Sequence, residues 1–256
     1  MRFLSVAAAC AALLALAGCE TMQAVDTSGL MNAGGTAAKA LALSDGDILA
    51  MSDQSCAAMD QKNKLAPAGS AYAARLAQLV RAMPDSIGGK PANYKVYITQ
   101  EANAWAMANG CIRVYSGLMD LMNDDELRGV IGHEIGHVAL GHSKSQMQAA
   151  YGASAVRTAA SAAGGVVGML SQSQAGDLAE KFVNAQFSQA QESAADNYAF
   201  DLLTERKLER KGLVTGFQKL AAQSGPQGVS LLSSHPPSAA RAAAMQKRLD
   251  AAARSR

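Results

Sequence analysis

Residues 123–140 read NDDELRGVIGHEIGHVAL, a stretch that combines a helix start, a helical apolar pattern and two histidines four residues apart. Asn123 is a typical N-cap, and the three acidic residues after it suit the positive end of a helix dipole. We therefore predict that this stretch is a helix. Apolar residues at helical spacing form one side of it: Leu127, Val130, Ile131, Ile135 and Val138.

The two histidines form an H-E-x-x-H motif on the predicted helix. Residues four apart share a helix face, so His133 and His137 can bind one metal ion. Glu134 points about 100° away from that face, close enough to hold a water molecule beside the metal. The motif predicts a zinc site with Glu134 as the general base; two exposed helix histidines are the alternative.

Glycines recur through the same helix. Gly129, Gly132 and Gly136 each cost about 1 kcal/mol of helix propensity relative to alanine. We expect another backbone to approach the helix closely at these positions, because only glycine leaves room for it.

Catalytic zinc takes three protein ligands and leaves a fourth position to water, so a third ligand must lie elsewhere. The metzincin pattern needs Gly and His where this chain has Leu140 and Ser143, which excludes that class. His142 has the wrong spacing for a ligand, and we expect it to interact with the negative end of the helix.

The better candidate for the third ligand is in the segment SQAQESAAD, residues 188–196. Glu192 and Asp196 are four apart on one helical face, where like charges repel unless a cation or a donor faces them. We predict that Glu192 binds the zinc and that Asp196 accepts the free ring N–H of a ligand histidine. A solvated acidic edge is the alternative.

With these spacings, the chain resembles the gluzincin-type zinc metallopeptidases of the HtpX, Oma and BepA kind over about residues 45–250. Residues 103–106, N-A-W-A, resemble the edge strand of that family, and residues 234–237, S-H-P-P, with Arg241 resemble its C-terminal motif. The resemblance implies an α+β, mostly helical, zincin-like fold with a small sheet packed on the active-site helix. It also implies one Zn²⁺ per chain.

The resemblance also implies site residues. His235 and Arg241 are candidate donors to the oxyanion of the reaction, and a latent state in which His235 fills the open zinc position is the alternative for His235. Asn103 and Ala104 begin an edge strand that could bind substrate as an added strand.

The N-terminal sequence predicts export from the cytoplasm and a lipid anchor in a membrane. Residues 1–18 have the charge and apolar core of a signal peptide, and Leu16-Ala17-Gly18-Cys19 resembles the bacterial lipobox. We predict a lipoprotein signal peptide over 1–18, a lipidated Cys19 followed by a tether to residue 44, and a zinc metallopeptidase domain over 45–256. Glu20 implies the outer membrane, and we expect the domain to face the periplasm.

Two cysteines remain in the predicted domain, Cys56 and Cys111. An even pair in an oxidising compartment predicts a disulfide; two buried free thiols are the alternative. The stretch 149–170 is apolar but contains Arg157 and several hydroxyl residues, so a packed helix is favoured over a membrane span.

Composition restricts the partners. The chain has 256 residues, 49% of them hydrophobic, and a net charge of +2, which exclude a disordered tail and disfavour nucleic acid. We predict an outer-membrane zinc endopeptidase that cleaves unfolded or misassembled envelope proteins, with envelope assembly machinery as a further partner. A chaperone-like binding module, with proteolysis secondary, is the alternative.

Overall fold

The computed structural model describes residues 43–153, 170–222, 231–235 and 239–254, which belong to one compact unit. The predicted signal peptide, Cys19 and nearly all of the tether lie outside the described residues, as does most of the stretch 149–170. None of the helices in the described ranges is both long and apolar enough to cross a membrane.

Helices form most of the described chain, as predicted, with a small amount of sheet. The helices are α1 (Asp45–Lys62), α2 (Ala71–Val80), α3 (Ser116–Leu121), α4 (Asp124–Ala139), α5 (His142–Ala153), α6 (Gln172–Asn184), α7 (Gln189–Glu205), α8 (Lys211–Ala222), α9 (Leu231–Ser234) and α10 (Ala239–Arg254). The strands are β1 (Ser86–Ile87), β2 (Lys90–Pro91), β3 (Asn93–Tyr97), β4 (Ala104–Ala106) and β5 (Cys111–Tyr115).

Local capping sets several helix boundaries. Ser44, Asn123, Ser171 and Ser188 each form a capping box with the residue three positions later, which satisfies backbone N–H groups that a helix start leaves free. Ser70 caps α2 through the Ala73 amide. The cap at Asn123 agrees with the predicted start of the motif helix, because capping is a local interaction.

The central sheet has three strands in the order β3-β5-β4. β3 runs parallel to β5, and β4 runs antiparallel to it. A separate two-stranded antiparallel ribbon is formed by β1 and β2, which Gly88 and Gly89 connect. Both glycines have positive φ, at 57° and 77°, which allows the tight reversal between the two strands.

Asn-Gly, as at residues 109–110, is typical of a two-residue hairpin turn, but the hairpin from β4 to β5 has a longer loop. Met107 N–H donates to the Cys111 carbonyl at 2.9 Å, so the loop has three residues, from Ala108 to Gly110. Only Gly110 has a positive φ, at 81°, whereas the two-residue Asn-Gly turn needs it at both central residues. A Cβ on Gly110 would lie 2.7 Å from the Pro91 carbonyl oxygen, so glycine is required.

Both faces of the sheet are buried, because side chains alternate between two core clusters. Val96, Ile112 and Val114 pack into a cluster that includes Leu127, Ile131 and other residues of α4. Tyr97, Trp105 and Tyr115 pack on the opposite face against residues of α1 and α6. The sheet therefore lies between α4 and the α1–α6 pair, in agreement with the prediction of a sheet packed on the motif helix.

The second cluster contains a disulfide and a buried ion pair. The disulfide joins Cys56 on α1 to Cys111 at the start of β5, as predicted. Arg113, 1% exposed, donates to Asp60 through Nε at 2.7 Å and through Nη2 at 2.9 Å. Lys95 and Tyr97 also donate to the Asp60 carboxylate, at 2.7 and 2.8 Å. This network fixes α1 to the sheet.

Candidate active site

The motif helix α4 is packed at its glycines against two other helices. A Cβ on Gly136 would lie 3.1 Å from the Ala195 carbonyl oxygen of α7, and one on Gly129 would lie 3.3 Å from the Leu213 backbone nitrogen of α8. The expected close approach of another backbone is thus confirmed. It brings α7, which carries the predicted carboxylates, against the face of α4 that carries the histidines.

Four buried side chains converge where α4 and α7 meet. One nitrogen or oxygen atom from each of His133, His137, Glu192 and His235 lies within 4.8 Å of the others. The two Nε2 atoms of His133 and His137 are 3.0 Å apart, and His137 Nε2 lies 3.3 Å from Glu192 Oε1. The structure therefore brings together the three residues predicted as metal ligands and adds His235.

Asp196 lies behind His133, on the side away from the other ligand atoms. Its Oδ1 is 2.8 Å from His133 Nδ1. A proton on Nδ1, which this nearby carboxylate stabilises, leaves the lone pair of Nε2 facing the other ligands. Burial alone would raise the pKa of Asp196, but hydrogen bonds from Arg241 and His133 lower it, so the carboxylate stays charged.

His235 lies between the ligand atoms and Glu134. Its Nδ1 is 2.9 Å from Glu192 Oε1 and 3.3 Å from His133 Nε2, while its Nε2 is 3.5 Å from Glu134 Oε1. Burial alone would lower the pKa of His235, but the Glu134 and Glu192 carboxylates raise it. Of the two roles considered for His235, this position favours a fourth zinc ligand over an oxyanion donor.

Arg241, the other expected oxyanion donor, lines the cavity beside His133 and Glu134 and also contacts the carboxylates of α7. Its Nε and Nη2 each donate to Asp196 at 2.7 Å, and its Nη1 contacts Glu192 Oε2. Three of its nitrogens therefore face the two carboxylates of α7. The positive charge of Arg241 offsets the repulsion between the two carboxylates. Arg241 is thus the cation that their spacing on the helix predicts.

Glu134 is the carboxylate of the H-E-x-x-H motif itself, and it is buried. Burial raises its pKa, and the Oε1 atom has no hydrogen-bond partner among the described residues. Its contact with His235 Nε2 at 3.5 Å is too long for a strong hydrogen bond. A buried carboxylate oxygen of this kind needs a donor, and a water molecule at a bound metal supplies one.

The donor set fits zinc. His133 presents a lone pair at Nε2 because its Nδ1 faces Asp196, and burial lowers the pKa of His137 to about 2, which keeps that imidazole neutral. Burial alone would raise the pKa of Glu192, but its contacts with the rings of His137 and His235 lower it, so a charged carboxylate completes the set. Two neutral imidazoles and a carboxylate are ligands of catalytic zinc.

Two further residues, Phe187 and His142, lie against His137. The ring of Phe187 stacks on it with centroids 3.8 Å apart. His142 Nδ1 lies 3.1 Å from His137 Nδ1, a contact that the sequence does not predict. The stacking of Phe187 left no signal in the sequence, because the residue lies between two helices, 50 positions from His137.

The edge strand β4 begins at Ala104, directly after Asn103. Asn103 is buried, and its Oδ1 accepts a hydrogen bond from the Ala104 amide at 2.8 Å. Ser143 Oγ donates to the Ala106 carbonyl at 2.8 Å. By the alternation of an antiparallel ladder, the Ala104 carbonyl and the Ala106 amide also point away from β5. Both of these groups belong to buried residues.

A cavity lies against His133 and Glu134. Besides these two residues and His235, it is lined by Val130 of α4, Phe217 and Leu220 of α8, Leu231 of α9 and Arg241 of α10. Its volume of about 20 Å³ has room for about one water molecule, so it is a small cavity beside the site and not a pocket for a side chain.

Residues 70–249 match the model of Peptidase family M48. The chain belongs to this family. Metalloprotease LoiP of Escherichia coli (strain K12) is 52% identical over 236 residues, 92% of each chain. Metalloprotease YcaL of the same organism is 50% identical over 234 residues, 91% of this chain and 92% of YcaL. Protease HtpX of Acinetobacter baumannii (strain AYE) matches over 40 residues, 16% of this chain, with 52% identity.

This M48 peptidase is therefore a zinc metalloendopeptidase, and the resemblance read from the sequence is confirmed. The buried cluster of His133, His137, Glu192 and His235 is the group that could hold the metal ion.

Proposed function

We propose that this M48 peptidase is an outer-membrane lipoprotein that cleaves unfolded or misassembled proteins of the bacterial envelope, with His133, His137 and Glu192 as zinc ligands. The observation that carries the catalytic part is the placement of a buried Glu134 carboxylate beside the cluster of ligand atoms. The same geometry supplies a base and a metal site.

Glu134 moves the proton in the proposed reaction. When bound, zinc polarises the peptide carbonyl and makes water more acidic. The Glu134 carboxylate takes a proton from the attacking water and later gives it to the leaving amine. Its raised pKa suits both transfers, because a carboxyl group that holds its proton more firmly is a stronger base at neutral pH.

The substrate class rests on the edge strand β4. The Ala104 carbonyl and the Ala106 amide, which point away from β5, would pair with an extended backbone, and such pairing gives affinity with little dependence on sequence. The cavity beside His133 and Glu134 has room for about one water molecule, so it does not select a side chain. Backbone without internal hydrogen bonds occurs in unfolded proteins, so these are the proposed substrates.

The location rests on the N-terminal sequence, with support from the disulfide. Cys19 in the lipobox-like segment would carry the lipid, and Glu20 favours the outer membrane, with the domain facing the periplasm. The Cys56–Cys111 disulfide suits an oxidising compartment outside the cytoplasm. At this location, envelope assembly machinery is a proposed further partner.

Metabolic labelling with a fatty acid, followed by membrane fractionation, tests the location. We expect the wild type to incorporate label and to sediment with the outer membrane, and Cys19→Ser to do neither. Cys10→Ser, within the predicted signal, is the matched control and should behave as the wild type. Label that persists in Cys19→Ser would contradict the proposed anchor.

Cleavage of a permanently unfolded protein, reduced and alkylated, tests the reaction. We expect Glu134→Gln to bind one zinc per chain and to lose cleavage by several orders of magnitude, while Glu209→Gln, at an exposed carboxylate, keeps the wild-type rate. Equal cleavage by wild type and Glu134→Gln would overturn the proposed mechanism. Zinc-loaded wild type that binds the unfolded protein without cutting it would favour the chaperone-like alternative.

A further inference from the structure

A histidine that binds a metal through one ring nitrogen carries a proton on the other, and the group that accepts this proton fixes the tautomer and the ring orientation. For His133 this group is Asp196, whose Oδ1 lies 2.8 Å from Nδ1. The second histidine of the motif needs a corresponding partner.

His137 has its Nε2 directed at the cluster, 3.0 Å from His133 Nε2 and 3.3 Å from Glu192 Oε1. Its Nδ1 therefore points away from the cluster, and Nδ1 of His142 lies 3.1 Å from it. The two rings meet at 64°, with centroids 5.1 Å apart. Phe187 covers the face of the His137 ring, so His142 is the polar contact at its outer edge.

The chain reaches this contact by a reversal that helical spacing does not provide. On a continuous helix, a residue five positions after His137 would lie about 140° around the axis. Instead α4 ends at Ala139, and Gly141 takes a φ of +75° with its amide bonded to the Val138 carbonyl. His142 then begins α5.

The start of α5 is also held in place. Ser143, fully buried, donates from Oγ to the Ala106 carbonyl of the edge strand at 2.8 Å. His142 is thus attached at one side to the turn at Gly141 and at the other to β4, which limits how far its ring can move from His137.

We propose that His142 is a positioning residue for His137, accepting at its own Nδ1 the hydrogen bond that His137 donates from Nδ1. The inference rests on the proposed assignment of His137 as a zinc ligand. The proton count is complete with both rings neutral: His137 carries its proton on Nδ1 and His142 carries its proton on Nε2. His142 thus does for His137 what Asp196 does for His133.

Zinc affinity, measured by competition with a chelator, tests the proposal without relying on activity. We expect His142→Leu to weaken zinc binding by about 10–100-fold, because the His137 ring loses the acceptor that fixes it. His142→Asn, which keeps an acceptor near the position of the imidazole Nδ1, should recover most of the affinity. Unchanged zinc affinity in His142→Leu, or equal losses in both variants, would overturn the proposal.

Two further measurements separate the possible failures. His137→Ala should bind zinc far more weakly than any His142 variant; wild-type affinity in that variant would refute the ligand assignment rather than the role of His142. Nitrogen-15 spectra of histidine-labelled, zinc-loaded wild type should show His142 as the Nε2–H tautomer, with His142→Asn identifying its signals. An Nδ1–H tautomer at His142 would overturn the proposal even if the leucine variant failed to fold.

Discussion

Arg241 and Asp196 form a buried pair with two parallel contacts, Nε to Oδ2 and Nη2 to Oδ1, each 2.7 Å long. The third nitrogen of the guanidinium contacts Glu192. The pair joins α10 to α7, and it places one positive charge against two carboxylates that would otherwise repel each other. The C-terminal helix therefore contributes to the electrostatics of the metal site.

Arg241→Met is expected to lower the free energy of unfolding of the metal-free protein by about 3–5 kcal/mol, because it leaves two buried carboxylates uncompensated. Urea unfolding in a chelator measures this. Arg248→Met is the control on the same helix: Arg248 pairs with the exposed Asp201, and its loss should cost about 1 kcal/mol or less. Similar losses in both variants would contradict the special role of Arg241.

Glu192→Ala is expected to empty the metal site, since two imidazoles alone do not complete the ligand set of catalytic zinc. Zinc per chain after dialysis measures this, with Glu205→Ala at the exposed end of the same helix as the control. Stoichiometric zinc in Glu192→Ala would show that another residue is the third protein ligand.

His235→Ala is expected to keep stoichiometric zinc and to cleave an unfolded protein at least as fast as the wild type. The reason is that His235 Nδ1 lies among the ligand atoms, where it would occupy the open position of the metal. The initial rate of cleavage checks the prediction. A fall of about 10²–10³-fold would instead indicate that His235 is an oxyanion donor.

Gly136→Ala is expected to destabilise the protein by about 1–3 kcal/mol, because its Cβ would lie 3.1 Å from the Ala195 carbonyl oxygen and 3.2 Å from Tyr198 Cβ. Thermal unfolding checks this. Gly176→Ala, in α6, is the control: nothing lies within 4 Å of its Cβ, so the gain in helix propensity should stabilise by up to about 1 kcal/mol. A stabilised Gly136→Ala would show that α7 can move away.

In Asp60→Asn, the free energy of unfolding is expected to fall less between pH 7 and pH 2 than it does in the wild type. Burial alone would raise the pKa of Asp60, but hydrogen bonds from Arg113 and Lys95 lower it below 3.8. A lowered folded pKa means that the carboxylate stabilises the fold above pH 3.8, and that this contribution is lost as the pH falls through the folded value.

Urea unfolding of the metal-free protein between pH 7 and pH 2 measures this effect. The gap in unfolding free energy between wild type and Asp60→Asn should be largest near neutral pH and should shrink below pH 4. Asp177→Asn, at an exposed position, should follow the wild type throughout. A gap that stays constant with pH would contradict the lowered pKa of Asp60.

Local signals predicted the start of the motif helix. Asn123 caps α4 as predicted, because capping depends on neighbours three positions away. Asn-Gly at residues 109–110 is a local signal for a two-residue turn, but the loop there has three residues. Only the sheet shows that Gly110 lies against the Pro91 carbonyl, and this contact selects a three-residue loop.

The buried charges could not be predicted in the same way. Arg113 lies on β5, and both faces of this strand are covered. In the sequence, a polar residue that alternates with apolar ones indicates an exposed face, so the pattern does not show that Arg113 is buried. Its partner Asp60 is 53 residues away on α1. A long-range pair of this kind depends on which elements pack together, and helical or strand periodicity in one segment does not report that packing.

The sequence by itself determined the part of the site that lies on one helix. Backbone hydrogen bonding repeats every few residues, so His133, Glu134 and His137 take their relative directions from α4 alone. The tertiary structure decided which residues complete the site. Glu192, Arg241 and His235 come from other elements, and the turn at Gly141 returns His142 to His137. Their positions follow from the close packing of α4 on α7 and α8, an interaction between segments distant in the chain.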